Sequence, residues 1–421
     1  MVGFVVYLCF VVSWFLHVPA RIPALAGIRF DLALVIVAGA LAFVSRNDSA
    51  PARRSNLWWA VIALSAYFLV TIPLVQWPGS VLKFGLELWV KAVVFYFLTV
   101  RLVTTERRLQ VFLLVFLLCQ AFRVVEPVYL HVTTGYWGSF ASMANWEFMN
   151  RLAGAPHDVV NPNGLAFVVL TVICFAHYLW TGNWLGRVAY LGILAVGLYA
   201  LALTGSRSGM AGLVVVFGAI WLRSRHKVIL ALVAVGLIAW ATPRLSSDLL
   251  DRYVSLVDSS AKNAGTAASR VAHVRKGFGV AMRRPLFGHG VGTSREALAN
   301  FAGVDQPAHN LYAEVAIELG LVGLLVFLGF MVVLARDLWG HRREWRARAR
   351  APTLERTGDA LLLFFVMNLL FSLASYGLTS YEWYFLAGLT QVLTQLRTRP
   401  SENPESALNA PDMTEAHQHL A

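Results

Sequence analysis

The chain has 421 residues, 58% hydrophobic and only 14% charged, with a formal net charge of +12 and a mean hydropathy of +0.62. Soluble domains carry about 25% charged residues, so this composition excludes an ordinary soluble protein and points to a polytopic membrane protein. Much of the positive excess sits in short loops between apolar runs and not in a basic patch interleaved with aromatics. Membrane lipids are therefore expected partners, and nucleic acid is not.

A spanning helix needs about 20 mainly apolar residues. Runs of that kind fall near 2–19, 25–44, 57–77, 81–100, 110–130, 163–180, 188–204, 210–222, 228–242, 311–335, 359–378 and 381–396. They predict an all-α polytopic membrane protein with about 12 transmembrane helices. The first run has no basic segment before it and reads as a retained helix, not a signal peptide. Cys9, Cys119 and Cys174 all lie inside apolar runs, so no disulfide framework is expected.

Lys and Arg in short loops set orientation. With the amino terminus inside, the cytoplasmic loops hold Arg46, Arg53 and Arg54, then Arg101, Arg107 and Arg108, then Arg187, then Arg223, Arg225 and Lys227, and finally the arginine-rich segment 336–358. The connections 78–80 and 379–380 on the other side have no basic residue. This places both termini in the cytoplasm. Two long loops, 131–162 and 243–308, face outward, and the second carries nine Lys or Arg. The chain shows no internal repeat and reads as one transmembrane domain, 1–396, followed by a polar, Pro-containing tail, 397–421, expected to be disordered.

Several residues can carry chemistry. Lys83, Glu87 and Lys91 are spaced i, i+4, i+8 and share a helical face, and Arg123 and Glu126 interrupt the next helix. Such groups serve either as packing ion pairs or as receptors for an anionic lipid headgroup. Arg207 lies in the tight turn LALTGSRSGMAG, where backbone N–H groups and a guanidinium can face an anion. In the long outer loop, RVAHVRKGFGVAMRR predicts an amphipathic helix opened by Arg270, and PLFGHGVG predicts a tight turn. As a phosphate cradle this turn matches neither a P-loop nor a dinucleotide fingerprint. His309 stands at the water–membrane boundary, directly before LYAEVAIELGLVGLLVFLGF. An imidazole there either accepts a proton near neutral pH or simply caps the helix, and Glu314, one turn on, can orient it. No HExxH, DxD or GxSxG occurs, so neither a metal nor another cofactor is expected, and a serine nucleophile has no motif.

About a dozen helices, SRSG in an outward turn, NPNGLAF at 161–167, and the succession RRPLFGHGVG…AHNLYAEVAIELGLVGLL resemble the O-antigen ligase and polymerase superfamily. The resemblance implies a membrane glycosyltransferase of C-type architecture with a long helical periplasmic loop, located in the bacterial inner membrane. It implies transfer of O-antigen polysaccharide from undecaprenyl diphosphate to a sugar hydroxyl of lipid A–core. By motif, Arg207 and Arg270 would bind the donor diphosphate and His309 would activate the acceptor hydroxyl. The chemistry is coherent. Guanidiniums hold a diphosphate leaving group bidentately, imidazole is a base near neutrality, and direct attack inverts the anomeric centre, no carboxylate pair suggesting double displacement. Arg275, Asn310, Glu314, Arg123 and Lys91 are further candidates for substrate binding, with His157 and Asp158 on the acceptor side. A polymerase or a protein O-oligosaccharyltransferase of the same superfamily remains open, as does a lipid-linked glycan transporter, although a transporter predicts symmetric halves.

Overall fold

The computed structural model describes residues 1–44, 55–142, 148–254, 265–347, 352–375 and 377–398. Arg46, Arg53, Arg54 and the tail from residue 399 lie outside the described residues.

Helices occupy each of the apolar runs. In chain order they are α1 (Val2–Leu16), α2 (Phe30–Val44), α3 (Asn56–Thr71), α4 (Leu86–Leu102), α5 (Glu106–Thr134), α6 (Pro162–Trp180), α7 (Trp184–Thr204), α8 (Arg207–Arg223) and α9 (Lys227–Ala241). The outer-loop helices α10 (Ser247–Val254), α11 (Gly265–Ala281) and α12 (Ser294–Ala302) follow, then α13 (Leu311–Ala347), α14 (Pro352–Ser372) and α15 (Tyr381–Thr398). Among the described residues, five helices are long and apolar enough to cross a bilayer: those at Asn56–Leu74, Glu106–Thr134, Pro162–Trp180, Trp184–Thr204 and Leu311–Gly340. The chain is a helical membrane protein. One departure from an all-α reading is a short antiparallel hairpin, β1 (Gly138–Ser142) with β2 (Phe148–Leu152), in which Gly138 faces Leu152.

The core is aromatic. Phe10 of α1 packs on Phe95 of α4 (ring centroids 5.3 Å), and Phe116 of α5 packs on Phe385 of α15 (4.6 Å). Such rings bury large areas and fix their neighbours by shape. Tyr7 finds a partner for its hydroxyl in Thr99, 2.6 Å away, as a buried polar group must. Cys119 and Cys174 are buried, while Cys9 lies on an exposed face.

Helix α5 has 29 residues and so runs roughly 44 Å, longer than the hydrocarbon layer. Its final turns carry the charged residues that the sequence analysis grouped as Arg123 with Glu126, and there the structure differs. Arg123 makes a bidentate pair with Asp158 (2.6 and 3.0 Å), whereas Glu126 pairs with Arg21 (2.5 and 2.6 Å). The reason is topological: the segment before α6 brings Asp158 to Arg123, and the corner after α1 brings Arg21 to Glu126.

The Lys83–Glu87–Lys91 face also departs from expectation. Residues Val81–Gly85 form a π-turn, which inserts an extra residue per turn and shifts Lys83 out of the i, i+4 series. Lys83 lies over the Phe84 ring, and only Lys91 pairs with Glu87 (2.6 Å), both about half exposed. This is a surface pair.

The Gly-rich turn is a structural plug. Helix α13 breaks at Gly320 (φ 72°, ψ −176°), and an unwound segment at membrane depth needs partners for its backbone. The outer loop supplies them: His289 N donates to Ile317 O (2.8 Å), Gly290 N to Glu318 O (2.9 Å), and Leu321 N to Pro285 O (2.7 Å). Tyr67 of α3 directs its hydroxyl to the carbonyls of Leu319 (2.8 Å) and Leu286 (3.1 Å). A Cβ at Gly320 would lie 2.4 Å from Leu286 O, so the crossing admits only glycine.

Candidate functional site

A cavity of about 440 Å³ opens between α6, α8, α14, the start of α15 and the segment leading into α13. Its wall includes His309, Arg123, Glu382, Asn161, Asn163 and Ser208, with Phe167, Phe371 and Trp383 as apolar faces. Concave sites with convergent polar groups on an apolar wall are the usual form of a binding site.

Each part is positioned by local sequence. NPNG starts α6: Asn161 caps it by accepting from Gly164 N (2.9 Å), and Pro162 occupies the first turn, where its missing N–H costs nothing. This sets Asn161 and Asn163 at the cavity. The SRSG turn joins α7 to α8, with Gly205 in the left-handed region (φ 56°) and Ser206 accepting from Gly209 N (3.1 Å). A side chain at Gly209 would meet Ala166 of α6 at 2.7 Å, so α8 lies directly against α6.

Three arginines gather at this turn. Arg207 begins α8 and is 8% exposed. Arg151 of β2 donates from Nε to Thr204 O (2.7 Å) and from Nη2 to Asn163 Oδ1 (3.1 Å). Arg252 of α10 donates from Nε to Gly205 O (2.6 Å). The Arg151 and Arg252 guanidiniums satisfy carbonyls at the carboxyl end of α7, where cations are favoured. Tyr253 completes the clamp on Ala202 O (2.9 Å), and burial pushes its phenol up to about 12, so it stays a donor. Of the three, only Arg207 stands out in the sequence. Arg151 and Arg252 are distant in sequence, one on a hairpin and one on a short helix, so spacing gave no sign of them.

His309 faces the cavity, and Asn310 caps α13 by accepting from Ala313 N (3.0 Å) while donating to Leu373 O (3.2 Å). Glu314 is 5% exposed and accepts from Gly377 N (2.7 Å) and Leu378 N (3.1 Å). It is engaged with the connection between α14 and α15. Arg123 lines the cavity but is held by Asp158 and by Gln120 Oε1 (2.8 Å).

Other candidates lie elsewhere. His157 is exposed, Arg275 projects from the exposed side of α11, and Lys91 belongs to the surface pair described above. Arg270 lies on α11, and its side chain lies outside the described residues. Glu382, in the first turn of α15, was missed: it is the carboxylate of the cavity wall, and its Oε2 is buried without a hydrogen-bond partner among the described residues. Within SYEWYF it reads as an ordinary interfacial acid, and only the return of α15 to the cavity distinguishes it.

The fold and cavity thus define a polytopic helical membrane protein with an internal polar site. Residues 192–328 match the family model described as O-antigen ligase, which supports over that stretch the resemblance read from the sequence. No curated protein matches the chain. The matched stretch contains Arg207, Arg270, His309 and the Gly320 break, whereas α6, α14 and α15, which build the other walls, lie outside it.

Proposed function

We propose that this chain is an O-antigen ligase that transfers a glycan from undecaprenyl diphosphate to a sugar hydroxyl of lipid A–core. The observation that carries this reading is that two residues of the family-matched stretch, His309 and Ser208, the neighbour of Arg207, line one cavity. In the proposed reaction His309 takes the proton of the acceptor hydroxyl as its oxygen attacks the anomeric carbon. The bond from that carbon to the diphosphate breaks, and the electron pair leaves on the undecaprenyl diphosphate, whose charge Arg207 and Arg270 neutralise. One displacement inverts configuration. The guanidiniums supply the charge that a metal ion otherwise would, which supports a metal-independent reaction.

The same reading places about 12 spans in a bacterial inner membrane, both termini in the cytoplasm and the cavity toward the periplasm. The short basic loops support that orientation.

The test uses purified protein with undecaprenyl-diphosphate-linked O-antigen and lipid A–core in EDTA, comparing wild type with His309→Ala. Core attachment that persists in EDTA and falls about 10²- to 10⁴-fold in the variant is the expected result. Longer lipid-linked chains without core attachment would make the protein a polymerase, and inactivity toward both acceptors would remove the ligase reading.

A further inference from the structure

Asn310, Glu314 and Glu318 are spaced i, i+4, i+8 and share one face of the first turns of α13. All three are buried, and each is engaged by a neighbouring loop. Asn310 Nδ2 donates to Leu373 O, and Glu314 Oε2 accepts from Gly377 N and Leu378 N. One turn further, Glu318 Oε1 accepts from Ser294 N (3.1 Å), just past the Gly-rich plug. A carboxyl group suits this task because a single oxygen can take two N–H groups.

The segment tied by Asn310 and Glu314 is the connection 373–380, which supplies Ala374, Ser375, Gly377 and Ser380 to the cavity wall and leads directly into Glu382. Tyr384 reinforces it by donating to Leu378 O (3.0 Å), and Ser380 by donating to Gly377 O (2.9 Å). His309 precedes Asn310 in the same chain turn. The base and the wall opposite it are therefore held through one set of hydrogen bonds.

We propose that Glu314 is a positioning residue: with Asn310 it staples the start of α13 to the 373–380 connection and so fixes His309 against the wall that carries Glu382. The tether itself is independent of the ligase reading; its effect on turnover rests on that reading. Displacing a reacting group by about 1 Å costs roughly 10²-fold in rate. Glutamine at 314 presents an oxygen to the same two N–H groups, whereas alanine presents nothing.

The experiment compares wild type, Glu314→Ala and Glu314→Gln in two readouts: amide hydrogen exchange of the peptide spanning 373–380, and glycan transfer across a pH series. Glu314→Ala should lose exchange protection at Gly377 and Leu378 and drop turnover about 10²-fold with the shape of the pH profile unchanged. Glu314→Gln should keep protection and most of the turnover. Unaltered protection in Glu314→Ala would overturn the tether. Glu314→Gln that is protected yet as inactive as the alanine variant would show that the charge itself acts in the reaction, which also overturns the proposal. Exchange needs no substrate, so inert wild-type protein would defeat the ligase reading while the tether is still decided.

Discussion

At the residue scale the site separates side chains facing the cavity from those that hold its walls. Arg123 does both, lining the cavity while it pairs with Asp158, and the two are 6% and 3% exposed. Removing one member of a buried pair strands the other, at a cost of about 3–5 kcal/mol, whereas replacing both with apolar side chains is often near neutral. Arg123→Ala and Asp158→Ala should each lower thermal stability in detergent, and Arg123→Met/Asp158→Leu should recover most of the loss. Single variants as stable as wild type would show that the pair contributes little. The place of His309 at the start of an apolar run was legible in the sequence, although position alone did not separate a base from a helix cap. The pairing of Arg123 with Asp158 was not, because it spans 35 positions and depends on the fold of an irregular loop.

At the element scale the outer loop is a part of the membrane domain's architecture. His289 of the plug is fully buried, stacked on Trp77 (5.4 Å), with Nδ1 2.6 Å from Gln76 Oε1 and Nε2 3.2 Å from Val280 O. Burial, and then Arg284 and Arg283, lower its pKa against the support of Val280 O, which favours the neutral ring. In that form Nε2–H donates to Val280 O, and Nδ1 accepts from the Gln76 amide once that amide is turned to present its nitrogen. The unfolded histidine titrates near 6.5. Above that pH the plug's contribution is fully present, and as pH falls below it toward the lowered native value the unfolded chain takes up a proton that the folded ring refuses, so stability is lost. Melting temperatures recorded between about pH 8 and pH 5 should show this acid limb, and His289→Gln should flatten it. An unchanged limb would assign it to other groups. The sequence displayed the glycines of PLFGHGVG plainly, yet their purpose, crossing a broken helix, is visible only once Gly320 is found opposite them.

At the scale of the whole molecule, hydropathy and loop charge were the most legible features, since both follow directly from the solvent the chain must satisfy. Every apolar run became a helix, and the long loop between α9 and α13 carries three helices among its described residues. What hydropathy could not show is where helices close on one another, and so α6, α14 and α15 entered the cavity unannounced. The proposed orientation has a direct check in a background with Cys9, Cys119 and Cys174 replaced by serine. Asp305→Cys should react with an impermeant maleimide from the periplasmic side, and Arg187→Cys only after the inner membrane is opened. The reverse pattern would invert the topology.

The break in α13 carries a consequence for biogenesis. The carbonyls of Ile317, Glu318 and Leu319 find their partners in a loop made earlier in synthesis and in Tyr67, some 250 residues before them. Until those partners are in place, an intact helix is the form of this segment that a bilayer tolerates. The kink therefore belongs to a late step, after insertion, when the outer loop seats against α3 and the two halves of α13 part around it. Insertion and maturation of the site are then separate events, and a chain arrested between them would be fully integrated in the membrane yet lack its finished cavity.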